Sequence, residues 1–233
     1  MFIKNLIIII SILLVYSCGN DDLKENQEKE LSDDNVEDVV EDSTVITKRI
    51  SKTEDTVRIT NQALIRTSMG NILIGLYGDD APKTVENFLG LVRKGYYNGI
   101  LIHRVAKNFV IQMGDRNTIN KRKKDDWGKG GQSYFGEPFE DELNMKAISY
   151  RKGYQLGVVA MANRAPNTNT SQFFICLDEA VELERKWTIF GRVIEGMEIV
   201  REISEVDVIP GKLEPNDGLP IKPIKIYSIR IRK

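Results

Sequence analysis

The stretch that decides the fold is ILIHRVAKNFVIQMGD, residues 100–115. Its first three residues are apolar and typical of a buried strand, yet they are followed directly by His103, the single histidine of the chain, and by Arg104. Arginine keeps its charge at neutral pH, and burying a charge without a partner is costly. Either a side chain elsewhere in the fold or a ligand must therefore satisfy Arg104.

The residues before this stretch predict an amphipathic helix. In DDAPKTVENFLGLVRKG, residues 79–95, Pro82 suits a first helical turn and Gly95 suits the end of the helix. Apolar residues between them recur at positions i, i+3, i+4 and i+7, so one helical face should pack on a core. A second, shorter helix is predicted over residues 196–203.

The remainder of the C-terminal part reads as short strands separated by Gly, Asn or Pro. A hairpin is predicted around Met69-Gly70, and the alternating isoleucines of residues 224–232 change phase at Tyr227-Ser228, which indicates a bulge. Further strands are predicted at residues 100–104, 109–113, 156–162, 172–176 and 188–193. Many short strands with two helices predict a mainly β fold, a closed β-barrel with helical caps.

The first residues predict an export signal. In residues 1–17, Lys4 is followed by an apolar run that is too short for a comfortable transmembrane helix. The end of this run, LLVYSCGNDD, resembles the signal of bacterial lipoproteins, in which the cysteine, here Cys18, becomes the lipid-modified first residue. Tyr16 is bulkier than the residue usual at its position, and the alternative is an ordinary signal, cleaved or uncleaved. The resemblance implies a membrane-anchored protein of the bacterial cell envelope, outside the cytoplasm and facing the periplasm or the cell surface.

Residues 18–56 predict a lipid-anchored, acidic and disordered tether, which leaves residues 57–233 as the folded domain. Between residues 19 and 47 there are eleven Asp or Glu, two Lys and no aromatic residue, a composition that cannot bury enough surface to fold. The net charge of this segment is −9, and Lys4 adds +1. Since the net charge of the whole chain is −1, the residues from Lys48 onward carry a net charge of +7. A positive charge of this moderate size does not require an anionic partner, so we expect no binding to nucleic acid. We also expect the protein to be a monomer.

Cysteine and histidine content excludes two kinds of site. If Cys18 is acylated, Cys176 remains alone and no disulfide can form within the chain. Two cysteines and one histidine do not supply the ligands of a zinc site. We therefore expect neither a metal nor a cofactor.

Four motifs occur in the order and spacing of the cyclophilin family: IHRVAKNFVIQMGD, GKGGQSYFGEPFEDE, GVVAMANRAPNTNTSQFFIC and IFGRVIEGMEIV. The resemblance covers residues 63–232. It implies a cyclophilin-like closed barrel of eight antiparallel strands capped by two α-helices, and peptidyl-prolyl cis-trans isomerase activity on proline-containing polypeptides. Together with the export signal, this predicts a foldase for proteins outside the cytoplasm. The alternative is a non-catalytic module of the same fold that binds Pro-containing peptides.

The functional residues of the family can be carried over to matching positions of this chain. Arg104 matches the catalytic arginine, and Gln112 matches the glutamine that helps to hold the arginine and the substrate. Phe109 would form the floor of the proline pocket, while the backbone of Ala162 and Asn163 would meet the peptide. The resemblance assigns eight positions to substrate binding: Phe109, Val110, Ala162, Asn163, Gln172, Phe174, Leu183 and Trp187.

Several positions depart from the usual pattern of the family. Val110 stands where methionine is usual and Trp187 where a pocket-edge histidine is usual, so the pocket should remain apolar. Glu182 replaces a frequent tryptophan whose indole N–H is associated with cyclosporin binding, and we expect weak inhibition by that drug. Residues 116–127 are longer than usual and carry a Lys-Arg cluster. We expect a solvated loop there, with a contact to substrate or glycans as the alternative.

Arginine suits the rotation of an X-Pro bond, whose barrier is roughly 18–20 kcal/mol because rotation breaks amide resonance. In the twisted state the pyramidal nitrogen carries a lone pair that a guanidinium N–H can address. One charge-assisted hydrogen bond of about 1.5–3 kcal/mol accelerates the reaction only about ten- to a hundredfold, so the apolar pocket must contribute too. No proton has to move, and strand alternation places His103 and Arg104 on opposite faces of the sheet, so we expect His103 to be structural.

Overall fold

The computed structural model describes residues 56–178, 183–211 and 215–232. Within them, the strands are β1 (Asn61–Thr67), β2 (Asn71–Leu76), β3 (Leu101–Ile102), β4 (Arg104–Ala106), β5 (Val110–Met113), β6 (Val158–Met161), β7 (Phe173–Cys176), β8 (Ile189–Glu195), β9 (Val208–Pro210), β10 (Asp217–Pro220) and β11 (Ile224–Arg232). The helices are α1 (Pro82–Arg93), α2 (Ile148–Lys152) and α3 (Met197–Ser204), and two 3₁₀ turns cover Arg116–Ile119 and Lys124–Asp126.

The eleven described strands form one antiparallel sheet that curls strongly. Their order is β3-β11-β1-β2-β8-β6-β7-β5-β4-β10-β9. β3 and β4 are separated by His103 alone, yet β3 pairs with β11, whereas β4 pairs with β5 and β10. Two strands that follow each other so closely can lie this far apart in the strand order only if the sheet curls round on itself. The fold is therefore mainly β, with a few helices.

Both predicted helices and the hairpin are confirmed. α1 begins at Pro82, and Gly95 follows its end with a φ of 63°, a value that favours glycine. α3 occupies the range predicted for the second helix, displaced by one residue. The hairpin joins β1 to β2, and the register of β1 against β11 shifts between Arg66 and Thr67, which leaves Tyr227 without a partner in the register. This is the predicted bulge.

The sheet differs from the expected closed barrel of eight strands with two helices. The run predicted as one strand over residues 100–104 is interrupted at His103, and β9 and β10 extend the sheet beyond β4. β10 contains Gly218 and Pro220, residues of low strand propensity, so its extended state depends on pairing with its neighbours. α2 is an additional helix, and its five residues are too few to produce a periodic sequence pattern.

The sheet buries an apolar cluster on each of its faces. In the larger cluster, Phe88 of α1 meets the rings of three aromatic residues at centroid distances of 5.4–5.6 Å: Tyr97, Phe173 and Phe190. The second, which we call the outer cluster, contains Val110, Tyr154, Phe174 and Cys176. Alternation along β7 explains the division, because Phe173 belongs to the larger cluster and the next residue to the outer one.

Some predictions fall on parts of the chain outside the described residues. Outside the described residues lie the predicted export signal over residues 1–17, Cys18, the predicted tether up to residue 55, and Glu182. Across residues 56–178, 183–211 and 215–232, no helix combines the length and the apolar character that crossing a bilayer requires.

Candidate active site

An open cavity of about 220 Å³ lies over the outer cluster. Its lining comes from β4, β5 and β7, the turn between β4 and β5, and the segments after β6 and before β8: Arg104, Phe109, Val110, Gln112, Ala162, Asn163, Phe174, Leu183 and Trp187. All nine belong to the site predicted from the sequence. The tenth predicted residue, Gln172, contacts Gln112 and lines an adjoining groove.

Strand register brings these distant residues together. β4 and β5 pair Arg104 with Gln112, and β5 and β7 pair Gln112 with Phe174. Residues directly opposite each other on antiparallel strands share a face of the sheet. The arginine, the glutamine and the aromatic ring therefore stand side by side on the outer face.

Arg104 is held by two side chains at the edge of the cavity. Its Nε donates to Oδ1 of Asp217 at 2.8 Å, and its Nη2 donates to Oδ2 of the same carboxylate at 2.6 Å. Its Nη1 donates to Oε1 of Gln112 at 3.3 Å, and the guanidinium carbon lies 5.9 Å from the centre of the Phe109 ring. Asp217 is thus the acidic partner of the partly buried charge of Arg104.

Sequence reasoning missed Asp217. The residue lies in PNDGLP, residues 215–220, which resembles a turn because it contains Gly and two Pro. It is 113 residues away from Arg104 in the chain, so no local pattern links the two. The only sequence signal was the requirement that some partner must exist for the arginine.

A chain of amide contacts connects Arg104 to the interior. Nε2 of Gln112 donates to Oε1 of Gln172 at 2.9 Å. Nε2 of Gln172 in turn donates to the carbonyl oxygens of Gly128 at 3.0 Å and Gly130 at 2.5 Å. Each glutamine is therefore fixed in one orientation, and the Gln112 oxygen points towards the arginine.

His103 lies beneath this chain of contacts, and its Nε2 is 3.1 Å from Oε1 of Gln172. Because that oxygen is an acceptor, Nε2 carries the proton, and Nδ1 is buried without a hydrogen-bond partner among the described residues. Burial lowers the pKa of His103 to about 4, since desolvation disfavours the charged ring. His103 is therefore neutral at physiological pH, which agrees with the structural role predicted for it.

Aromatic rings form one wall of the cavity. The rings of Phe174 and Trp187 meet edge to face with centroids 6.2 Å apart. The hydroxyl of Tyr154, a second residue that sequence reasoning missed, donates to the carbonyl of Trp187 at 2.8 Å and accepts from its N–H at 2.9 Å. Burial raises the pKa of Tyr154 to about 12, so the hydroxyl keeps its proton. The backbone of Trp187 is thereby fixed at the rim.

Asn163 lines the cavity, and its side chain is bonded to a neighbouring carboxylate. Its Nδ2 donates to Oδ1 of Asp141 at 2.8 Å, and Asn169 donates to the same oxygen at 2.7 Å. No described residue forms a hydrogen bond with the N–H or the carbonyl of Asn163, whereas the N–H of Ala162 is bonded to the carbonyl of Gln172 at 2.8 Å. Asn163 can therefore pair with an extended peptide through its main chain.

The basic insertion at residues 116–127 forms the two 3₁₀ turns, and Lys121 to Lys124 are exposed. Asp115, fully buried, accepts from the N–H of Asn117 at 2.8 Å and from that of Gly130 at 3.1 Å. The insertion is thus anchored at its base, while its cationic tip remains in solvent.

Neither a metal centre nor a reactive thiol is present in the described parts of the chain. No three His, Cys, Asp or Glu side chains there come together as metal ligands. Cys176 is fully buried, and burial raises the pKa of its thiol to about 12. The residues that line the cavity supply hydrogen-bonding side chains, apolar side chains and backbone groups.

Comparisons with known proteins relate the chain to a protein family. The sequence profile described as cyclophilin type peptidyl-prolyl cis-trans isomerase/CLD matches residues 62–231. Peptidyl-prolyl cis-trans isomerase 10 of Caenorhabditis elegans is 44% identical over 167 residues, which are 72% of this chain and 92% of that protein. Peptidyl-prolyl cis-trans isomerase-like 3 of Gallus gallus is 41% identical over 164 residues, 70% of this chain and 94% of that protein.

Solved structures show the same likeness. A cyclophilin type peptidyl-prolyl cis-trans isomerase of Cryptosporidium parvum superposes with a TM-score of 0.62 at 32% identity, covering 74% of this chain and 98% of that chain. Its structure in the presence of the dipeptide Ala-Pro gives a TM-score of 0.61 at the same identity, covering 74% and 99%. The chain therefore belongs to the family of cyclophilin-type peptidyl-prolyl cis-trans isomerases.

Proposed function

We propose that the cavity beside Arg104 is the isomerase site, and that the protein is a lipid-anchored foldase acting on X-Pro bonds of proteins outside the cytoplasm. The observation that carries the site assignment is the convergence of nine predicted residues on one cavity. Arg104 and Gln112 provide the polar side of this cavity, and aromatic and aliphatic side chains provide the apolar side.

Arg104 acts on the nitrogen of the rotating bond. A guanidinium has five N–H donors, of which Asp217 takes two and Gln112 one. One donor remains on each Nη atom, and these face the nitrogen when its lone pair develops. Because this lone pair exists only in the twisted state, the bond stabilises the transition state more than either planar isomer.

The apolar side of the cavity holds the proline ring. Phe109, Phe174 and Leu183 offer a slot without polar groups, and excluding water from it strengthens the field of the neighbouring arginine. The free backbone groups of Asn163 bind the peptide chain beside the ring. Holding the ring while the carbonyl side turns converts binding into catalysis.

The anchor and the location rest on the sequence of the first residues. Residues 1–17 have the length and pattern of an export signal, and Cys18 occupies the position that is acylated in lipoproteins. The acidic segment that follows would let the isomerase domain reach on the order of 30 Å from the membrane. We propose that residues 18–56 serve as this tether and that residues 57–233 form the domain it carries.

Replacing Arg104 tests the site. We expect Arg104→Ala to lower kcat/KM for a proline peptide about ten- to a hundredfold, the value of a lost charge-assisted hydrogen bond. The measurement is a protease-coupled or exchange assay on the full chain in mild detergent. Arg201→Ala, which removes an exposed arginine of α3, is the matched control and should keep full activity.

Two outcomes would contradict the proposal. If Arg104→Ala keeps the activity of the Arg201→Ala control, the assigned site is wrong. If neither the unaltered chain nor Arg104→Ala accelerates isomerisation above the uncatalysed rate, the alternative of a module that only binds Pro-containing peptides is favoured.

A further inference from the structure

The guanidinium of Arg104 is clamped on one edge by a carboxylate from a different part of the sheet. The two bonds to Asp217, at 2.8 and 2.6 Å, run in parallel from Nε and Nη2. Such two-point pairing fixes the plane of the guanidinium as well as its position. The side chain of Asp217 is only 17% exposed and that of Arg104 34%, so solvent competes weakly for the inner partner.

Strand register explains how Asp217 reaches the arginine. β10 pairs antiparallel with β4, and Asp217 lies opposite Ala106. Ala106 and Arg104 are two residues apart on one strand, so they share a face, and Asp217 is the diagonal neighbour of Arg104 on that face. A diagonal separation is within reach of a side chain as long as that of arginine.

The position of β10 is itself fixed from both sides. On one side it pairs with β4, and the carbonyl of Asn216 accepts from the N–H of Lys107 at 3.1 Å. On the other side it pairs with β9 so closely that a Cβ on Gly218 would lie 1.9 Å from the carbonyl oxygen of Ile209. β9 and β10 thus hold the carboxylate in place.

We propose that Asp217 is a positioning residue of the isomerase: its carboxylate orients the Arg104 guanidinium so that the remaining Nη donors face the nitrogen of the X-Pro bond. The inference rests on the proposed catalytic role of Arg104. Without the clamp, a long side chain with several rotatable bonds would have to be ordered during the reaction. With the clamp, its orientation is set before the substrate binds.

The carboxylate also has an opposing effect, because its negative charge weakens the positive field of the arginine. Both side chains are partly exposed, so this Coulombic effect is screened by water and salt. Hydrogen-bond strength, in contrast, falls steeply when the donor is misaligned. Orientation therefore outweighs neutralisation, and removing the carboxylate should slow the reaction rather than accelerate it.

The test replaces Asp217 in the full chain in mild detergent. We expect Asp217→Asn, which keeps the shape but loses the charge and one acceptor, to lower kcat about tenfold with KM changed less than twofold. Asp217→Glu keeps a carboxylate and should recover part of the lost kcat. Asp207→Asn, an exposed acid near β9 whose replacement changes the net charge equally, should keep the original kcat.

Two further measurements separate positioning from a general structural effect. In ¹⁵N NMR, the Nε–H signal of Arg104 should shift and lose its order in Asp217→Asn but not in Asp207→Asn. In an Arg104→Ala background, Asp217→Asn should change kcat less than twofold, because there is no guanidinium left to orient.

Two results would overturn the inference. One is that Asp217→Asn keeps the kcat of the unaltered chain while Arg104→Ala loses activity. That result would contradict the positioning role of Asp217 but leave the proposed site intact. The other is an equal loss of kcat from Asp217→Asn in both backgrounds, which would mark Asp217 as merely structural. Full activity in Arg104→Ala would instead remove the proposed site, and this inference with it.

Discussion

At the scale of single residues, the adjacent side chains of Arg104 and His103 differ in charge: the first is charged and the second is neutral. The charge of Arg104 is paired with Asp217 and hydrogen-bonded to Gln112 at the edge of a cavity. Among the residues that the structure describes, no acid lies within hydrogen-bonding distance of His103, and the ring is neutral since burial lowers its pKa to about 4. His103, whose side chain could carry a proton near neutral pH, is not among the residues that line the candidate site, whereas Arg104, which cannot lose its charge, lines it.

The pKa of His103 predicts a pH dependence of stability. The folded value of about 4 lies below the value of 6.5 for an unfolded chain, so between these limits the unfolded state binds more protons. Stability should therefore decrease as the pH falls from about 6.5 to about 4, by up to about 3 kcal/mol at about 1.4 kcal/mol per pH unit. His103→Gln, which can still donate to Gln172, should lack this component.

Urea unfolding of both proteins at pH 7 and pH 4.5 measures the difference. Since His103 is the only histidine, its imidazole NMR signals can also be titrated directly. An equal loss of stability in both proteins, or an imidazole that titrates near 6.5, would show that the ring is not buried as described.

At the scale of secondary-structure elements, some elements are specified by their local sequence pattern and others by pairing with distant strands. α1 follows from its own sequence, because apolar spacing and Pro82 specify both its face and its start. β10 has no such signal and is extended because β4 and β9 pair with it. β10, one of the elements that the sequence did not predict, supplies Asp217.

Packing of α1 on the sheet predicts a large cost for removing Phe88. This ring is 1% exposed and contacts three aromatic rings, so Phe88→Ala should lower the free energy of unfolding by about 3–5 kcal/mol. Phe135→Ala is the control, since the Phe135 ring is 38% exposed and its loss should cost about 1 kcal/mol. Urea unfolding measures both values. Equal losses would contradict the assignment of Phe88 to the centre of the larger cluster.

At the scale of the whole molecule, charge is distributed unevenly along the chain. The segment between residues 19 and 47 carries −9, whereas the chain from Lys48 onward carries +7. Repulsion between like charges is the reason that a segment of this composition suits the proposed tether. We interpret this separation as a division between an acidic tether and a basic catalytic domain, the arrangement of the proposed function.

The proposed anchor predicts covalent lipidation at Cys18. In a bacterial host supplied with radioactive fatty acid, the unaltered chain should be labelled and found in the membrane fraction, because a lipidated cysteine and its acyl chains hold it there. Cys18→Ala should lose the label, while Cys176→Ala, which changes the other cysteine, should keep it. Label that persists in Cys18→Ala, or none in the unaltered chain, would contradict the proposed anchor.

The sequence by itself determined the family motifs, α1, the β1–β2 hairpin and ten side chains of the candidate site. The helix and the hairpin follow from residue spacing within short segments, whereas the ten site residues are those that the resemblance to the cyclophilin family implies. Tertiary structure alone decided that the sheet holds β9 and β10, that Tyr154 fixes the rim at Trp187, and that Asp217 holds Arg104. The physical reason is separation, since the arginine and its carboxylate are 113 positions apart in the chain, and only the curled sheet brings them within 2.6 Å.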